Sequence, residues 1–128
     1  MQKIIGDFHI HSRFARACSK QITFDKLEHY AKIKGLNIIG TGDIQHPRWI
    51  NEIKEHLTED ENGILWSENK FPFIWQTEIS LMYKHNGKGR RVHHLILAPS
   101  KDVANQIIEL LGKKGRLDYD GRPIFGMS

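Results

Sequence analysis

The run Leu36-Asn37-Ile38-Ile39-Gly40-Thr41, set behind a helix-periodic stretch and an earlier apolar run at Ile4 to Ile10, is the strongest constraint on the fold. A short run apolar on both faces suits a parallel strand covered by helices. The stretch between predicts a helix from an N-cap at Thr23 to about Lys34, with Asp25 and Glu28 near its positive end. Phe24, Leu27, Ala31 and the ring of Tyr30 would form its buried stripe, and Gly35 stands where a helix commonly stops. The fold class is therefore α/β, opening on a βαβ unit.

Beyond it, Pro47 is favoured at a first helical position and starts a second predicted helix that runs to about Leu57. Thr58 to Asn62 is acidic and turn-like. Gly63 to Ser67 and Phe71 to Glu78 are predicted strands, with Ile79 to Tyr83 either continuing the second or starting a third. Asn86-Gly87 is the strongest short hairpin signal, and Arg91 to Ala98 forms the returning strand. Ser100 caps a last helix, Lys101 to Leu111, which ends at Gly112; the Gly-rich, charged tail Lys113 to Ser128 carries no assigned element. No repeat or linker divides the chain, so residues 1–128 are expected to be a single domain, long enough to bury a core.

No apolar run approaches the roughly 20 residues of a membrane span. Asp7 interrupts the N-terminus too early for a signal peptide. Cys18 is the only cysteine, which excludes an intrachain disulfide and leads to an expected cytoplasmic location. The formal net charge of +4 is modest, but the basic residues cluster: Arg13, Arg16 and Lys20; Lys84, Lys88, Arg90 and Arg91; Lys113, Lys114 and Arg116. Such groups fit a solvated face as well as an anionic partner such as DNA.

The chemistry concentrates at strand ends. In Asp7-Phe8-His9-Ile10-His11, strand alternation puts Asp7, His9 and His11 on one face. Two imidazoles at that spacing suit zinc, manganese or iron, with carboxylates completing the site, although two surface histidines on an edge strand would read the same. Asp43, in Gly40-Thr41-Gly42-Asp43, closes the second strand, where α/β folds gather function, or else caps a plain turn. Glu78 closes an apolar strand and could bridge two cations. His93 and His94 open another strand, and adjacent residues point to opposite faces, so only one of them can face a shared centre. His46 is ambiguous, while His29, His56 and His85 fit ordinary surface positions. Recurrence at successive strand ends favours one site over four coincidences.

With these residues in hand, the chain resembles the polymerase and histidinol phosphatase (PHP) family of metal-dependent phosphoesterases. The resemblance rests on Asp7-Phe8-His9-Ile10-His11-Ser12, Gly35 to Asp43, Glu78, and His94 before an apolar strand. The family usually carries Thr-Asp-His where this chain has Thr41-Gly42-Asp43, which marks a narrower branch. Arg16-Ala17-Cys18-Ser19-Lys20, Pro47, Trp49, Thr77-Glu78, Arg90 to His94 and Gly121-Arg122-Pro123 are similar to the N-terminal part of the endonuclease Q enzymes.

The resemblance implies the N-terminal portion of a distorted, truncated β/α barrel holding two or three divalent ions, zinc first, with manganese or magnesium as alternatives. It implies His9, His11, Asp43, Glu78 and His94 as ligands, with His9, His11 and Glu78 carrying catalysis, Glu78 bridging, and Asp7 orienting a ligating histidine. The family's later histidine and Asp-x-His lie beyond this chain, so a further C-terminal segment or another subunit is expected to complete the site. The implied reaction is hydrolysis of DNA phosphodiesters, nicking on the 5′ side of deaminated bases such as uracil and hypoxanthine. Arg13, Arg16, Lys20, Arg90 and Arg91 are the candidate phosphate contacts; Trp49 fits a stacking platform or, better, a core anchor. The alternatives are a phosphomonoesterase acting on a small metabolite, and a non-catalytic metal- or nucleic-acid-binding fragment.

Overall fold

The structure, a computed structural model, describes residues 2–126. In chain order its elements are β1 (Gly6–Asp7), α1 (Phe24–Ile33), β2 (Ile38–Gly40), α2 (Pro47–His56), β3 (Thr58–Glu59), β4 (Leu65–Trp66), β5 (Pro72–His85), β6 (Lys88–Ala98), α3 (Lys101–Gly112) and β7 (Ile124–Gly126). The expected βαβ unit is present: β1 pairs with β2 in parallel, Gly6 against Ile38, with α1 between them. Thr23 caps α1 by accepting from the Lys26 N–H, and Gly35, at φ 78°, follows its end.

The 14-residue β5 is the hub of the sheet. Its first residues pair with β2 in parallel and β4 antiparallel, and from Trp75 to His85 it pairs antiparallel with β6. Segment Ile79 to Tyr83 therefore continues the strand. Asn86 and Gly87 both have positive φ, 53° and 72°, as a tight two-residue hairpin turn requires. The seven strands form one connected sheet whose path runs β1-β2-β5-β4-β3, with β6 and β7 both on β5. Among the described residues that path is open, so closing it into a barrel would take further strands.

Three elements depart from expectation, the first being β3, a two-residue strand paired antiparallel with β4 where a turn is expected. β1 covers only Gly6–Asp7, because the Asp7 carboxylate accepts the His9 backbone N–H (3.0 Å) and turns the chain out of the sheet. β7 lies in the tail that carries no sequence signal, where it pairs in parallel with β5 and buries Phe125.

The core packs Trp49, Ile53, Ile39, Phe73 and Trp75 between the helices and the sheet. Phe24 stacks on Trp49 at 4.5 Å and meets Phe73 edge-on. Trp49 Nε1 donates to the Thr41 carbonyl (3.0 Å), so this tryptophan anchors the core and offers no face to a base. Tyr30 is outside the stripe assigned to it: α1 buries Phe24, Glu28 and Ala31 instead.

Glu28 is a buried carboxylate with full compensation. Ser67 Oγ donates to one oxygen, Asn69 Nδ2 to the other (2.9 Å), and Lys32 Nζ lies at 3.6 Å. Burial opposes its charge, but these partners outweigh burial and hold its pKa below the ordinary glutamate value. A depressed folded pKa gives stability that is complete above the unfolded value and is lost as pH falls through the folded one. Glu28→Gln is expected to cost about 2 kcal/mol at neutral pH. In denaturant titrations at a series of pH values, the gap to wild type should close as the solution is acidified below the ordinary glutamate range.

Candidate metal centre

The centre is assembled from the loop after β1, the turn after β2 and the middle of β5. Gln76, fully buried in β5, ties the three together: its Oε1 accepts from the backbone N–H of Ile10 and of Gly42, both at 3.2 Å. Gly42 sits at φ 69°, where a Cβ would come within 2.6 Å of the Ile10 carbonyl oxygen, so only glycine fits this turn. The turn carries Asp43, itself at φ 46°, inward to complete burial.

Asp43 there acts on its neighbours through both oxygens. Oδ2 accepts from the Ser12 backbone N–H (2.6 Å) and from the Ser12 hydroxyl, while Oδ1 lies 3.0 Å from His11 Nδ1. With Nδ1 held this way, His11 turns Nε2 toward Glu78 Oε2, 3.3 Å away. His9 Nε2 contacts the same oxygen. The other carboxylate oxygen, Oε1, meets His93 Nδ1 at 3.0 Å and Arg122 Nη1 at 3.2 Å.

Glu78, 1% exposed, is thus the node of the cluster. Burial works against its charge, yet hydrogen bonds with His9 and Arg122 prevail and keep its pKa below the usual value. The hydrogen bond to Asp43 raises the pKa of His11, with burial opposing and Glu78 assisting.

Nitrogens of His9 and His11 and an oxygen of Glu78 all lie within 4.8 Å of one another. Two imidazoles and a carboxylate converging at that spacing form a donor set that fits zinc, manganese or iron.

The geometry revises several of the expected roles. Asp43 is outside this trio and binds the far nitrogen of His11, as a carboxylate does when it orients a ligating histidine. Asp7 instead fixes the His9 backbone and holds no imidazole. His94 is paired with Ile79, one residue out of step with Glu78, which puts its ring on the opposite face; His93, opposite Ser80, shares the face of Glu78. His46 caps α2, accepting from the Arg48 N–H, and stacks on Phe14 at 4.4 Å.

The basic residues divide as well. Arg13 is committed to Glu52 through both terminal nitrogens and lies over the rings of Phe14 and Trp49, so it braces the fold and leaves no free fork for phosphate. Arg16 lies over Tyr119 beside Asp120, and Lys20 donates to the Arg13 carbonyl; both remain exposed. Arg91, opposite Met82, shares Glu78's face but lies four residues along the strand, roughly 13 Å away. Arg90, opposite Tyr83, points to the other face. Neither His93 nor Arg122 was assigned to the site from sequence.

Comparison with known proteins narrows the meaning of this geometry. No family model matches the chain. Two solved structures have its fold. The first is the lesion-specific endonuclease of Pyrococcus furiosus (PfuEndoQ), with TM-score 0.81 and 31% identity over 98% of this chain. The second is endonuclease Q bound to a 27-mer duplex substrate with an abasic lesion at the active site, with TM-score 0.80 and 33% identity over 96% of this chain. The chain is similar to a segment of endonuclease Q. It spans 30% and 29% of those two chains. An uncharacterised protein of Methanocaldococcus jannaschii is 39% identical over 118 residues, 91% of this chain and 13% of that protein. Among the described residues, no helix is long and apolar enough to cross a membrane.

Proposed function

We propose that this chain is the N-terminal part of a PHP-type phosphoesterase domain, and that the whole protein hydrolyses DNA phosphodiesters, nicking 5′ of deaminated bases. One observation carries the reading: His9, His11 and Glu78 converge within 4.8 Å, in a chain whose backbone follows a lesion-specific DNA endonuclease. In this reading His9, His11 and Glu78 hold the divalent ion, zinc first, with manganese or magnesium as alternatives. Bound there, such an ion would make a water more acidic and offset negative charge on the phosphate.

The chain's own groups prepare that site. Asp43 holds Nδ1 of His11 and so presents Nε2 to the centre. Gln76 locks the two loops on which His11 and Asp43 stand. Arg16, Lys20 and Arg91, exposed on the surface, are proposed contacts to flanking DNA phosphates.

The test is a nicking assay on uracil-containing duplex with manganese or zinc. The expected product is a nick on the 5′ side of the uracil. The double variant His9→Ala, Glu78→Ala should lose roughly 10³-fold in rate, since several kcal/mol of charge stabilisation disappear with the ion. Nicking that survives the double substitution would refute the reading.

A further inference from the structure

Arg122 does more than pair with Glu78. It stands between α3 and β7 on a loop tied down at each residue around it. The Gly121 carbonyl accepts from Gln45 Nε2 (2.7 Å), the Pro123 carbonyl accepts from the Ser80 N–H (2.9 Å), and the Arg122 N–H reaches Asp120 Oδ1. Gly121 presses so closely on Asp43 that a Cβ would fall 2.2 Å from Oδ2. The backbone therefore delivers this guanidinium to the cluster with little freedom.

Its side chain is poorly used by the contacts it makes. Nη1 donates to Glu78 Oε1, an oxygen that His93 also meets. Nε is buried and has no partner, although a guanidinium carries five N–H donors in a rigid fork. A counter-ion for Glu78 would need one such contact, and a lysine would supply it. A fork with spare donors, 36% exposed beside a cation site, suits a tetrahedral oxyanion.

We infer that Arg122 binds a phosphate oxygen of the substrate directly, at the edge of the His9–His11–Glu78 centre. This deepens the metal-site reading and rests on it for the identity of the anion as a DNA phosphodiester. Removing a cation from Glu78 leaves more of its charge for a metal, so loss of Arg122 separates anion binding from metal binding.

The experiment titrates inorganic phosphate, and in a parallel arm a short single-stranded oligonucleotide, into wild type, Arg122→Gln and Arg122→Lys. Each protein is used with and without zinc, its metal content is measured, and its fold is checked by circular dichroism. Arg122→Gln is expected to keep or tighten its metal and to weaken both anions roughly 10- to 100-fold, the loss of charge-assisted hydrogen bonds. Arg122→Lys, which keeps the charge without the fork, should fall between, and it decides the matter if the glutamine variant does not fold. Weaker phosphate with unchanged oligonucleotide would overturn the diester assignment. Unchanged affinity for both, with metal retained, would overturn the inference and leave Arg122 as a counter-ion. If wild type binds no metal, the metal reading fails separately. The metal-free titration then still judges Arg122, by whether phosphate binding depends on it.

Discussion

Trp49→Ala should remove most of the stability of this domain. The indole is fully buried, stacks on Phe24 at 4.5 Å and donates to the Thr41 carbonyl. Truncating a buried tryptophan costs about 3–5 kcal/mol, and stranding the Thr41 carbonyl in a dry interior adds about 1–3 kcal/mol. Domains have about 5–15 kcal/mol in total. Because Thr41 leads into the Gly42-Asp43 turn, the site should loosen along with the core. Trp49→Phe keeps much of the volume and loses the hydrogen bond, so about 1–2 kcal/mol is expected. Urea denaturation reads both, and a loss below about 1 kcal/mol for the alanine variant would show that Trp49 is no anchor.

The second large effect is expected at Glu78. Among the described residues it is the one group that contacts His9, His11, His93 and Arg122 together. Glu78→Gln keeps its size but replaces one charged oxygen with a nitrogen donor. Metal affinity should fall by more than the roughly 10- to 100-fold that loss of an orienting partner costs. The two adjacent histidines should separate in the same titration: His93→Gln removes a ring that orients the Glu78 carboxylate and weakens binding, whereas His94→Gln, with its ring on the other face, leaves it within about 2-fold. Equal effects from both would contradict the register described here.

How legible this was in the sequence depends on the range of the interaction. Local signals carried through: the Thr23 and Ser100 caps, Pro47 opening α2, and the Asn86-Gly87 turn are all in place. The hairpin also contained the answer to the choice between His93 and His94. A two-residue turn at 86 and 87 pairs 85 with 88, and counting back sets Ser80 opposite His93, on the face of Glu78. The family resemblance points instead to His94, whose pairing with Ile79 puts its ring on the other face. Other features had no local signature. Glu28 looks like an ordinary solvated helix carboxylate until Ser67 and Asn69 arrive from another loop. Arg13 resembles a phosphate contact until Glu52 meets it from α2. Arg122 and β7 come from a tail held by long-range contacts, through β5 pairing and through Gln45 and Asp43 at Gly121.

We propose that His9, His11 and Glu78 together hold a divalent ion. A calorimetric titration of zinc into the wild-type chain and into the His9→Ala, Glu78→Ala variant, with manganese as the parallel ion, tests it most directly. The expected result is at least one tight equivalent in wild type that is absent from the variant, while both proteins remain folded. A wild-type chain that takes up neither ion, or a variant that binds as tightly as wild type, would contradict it.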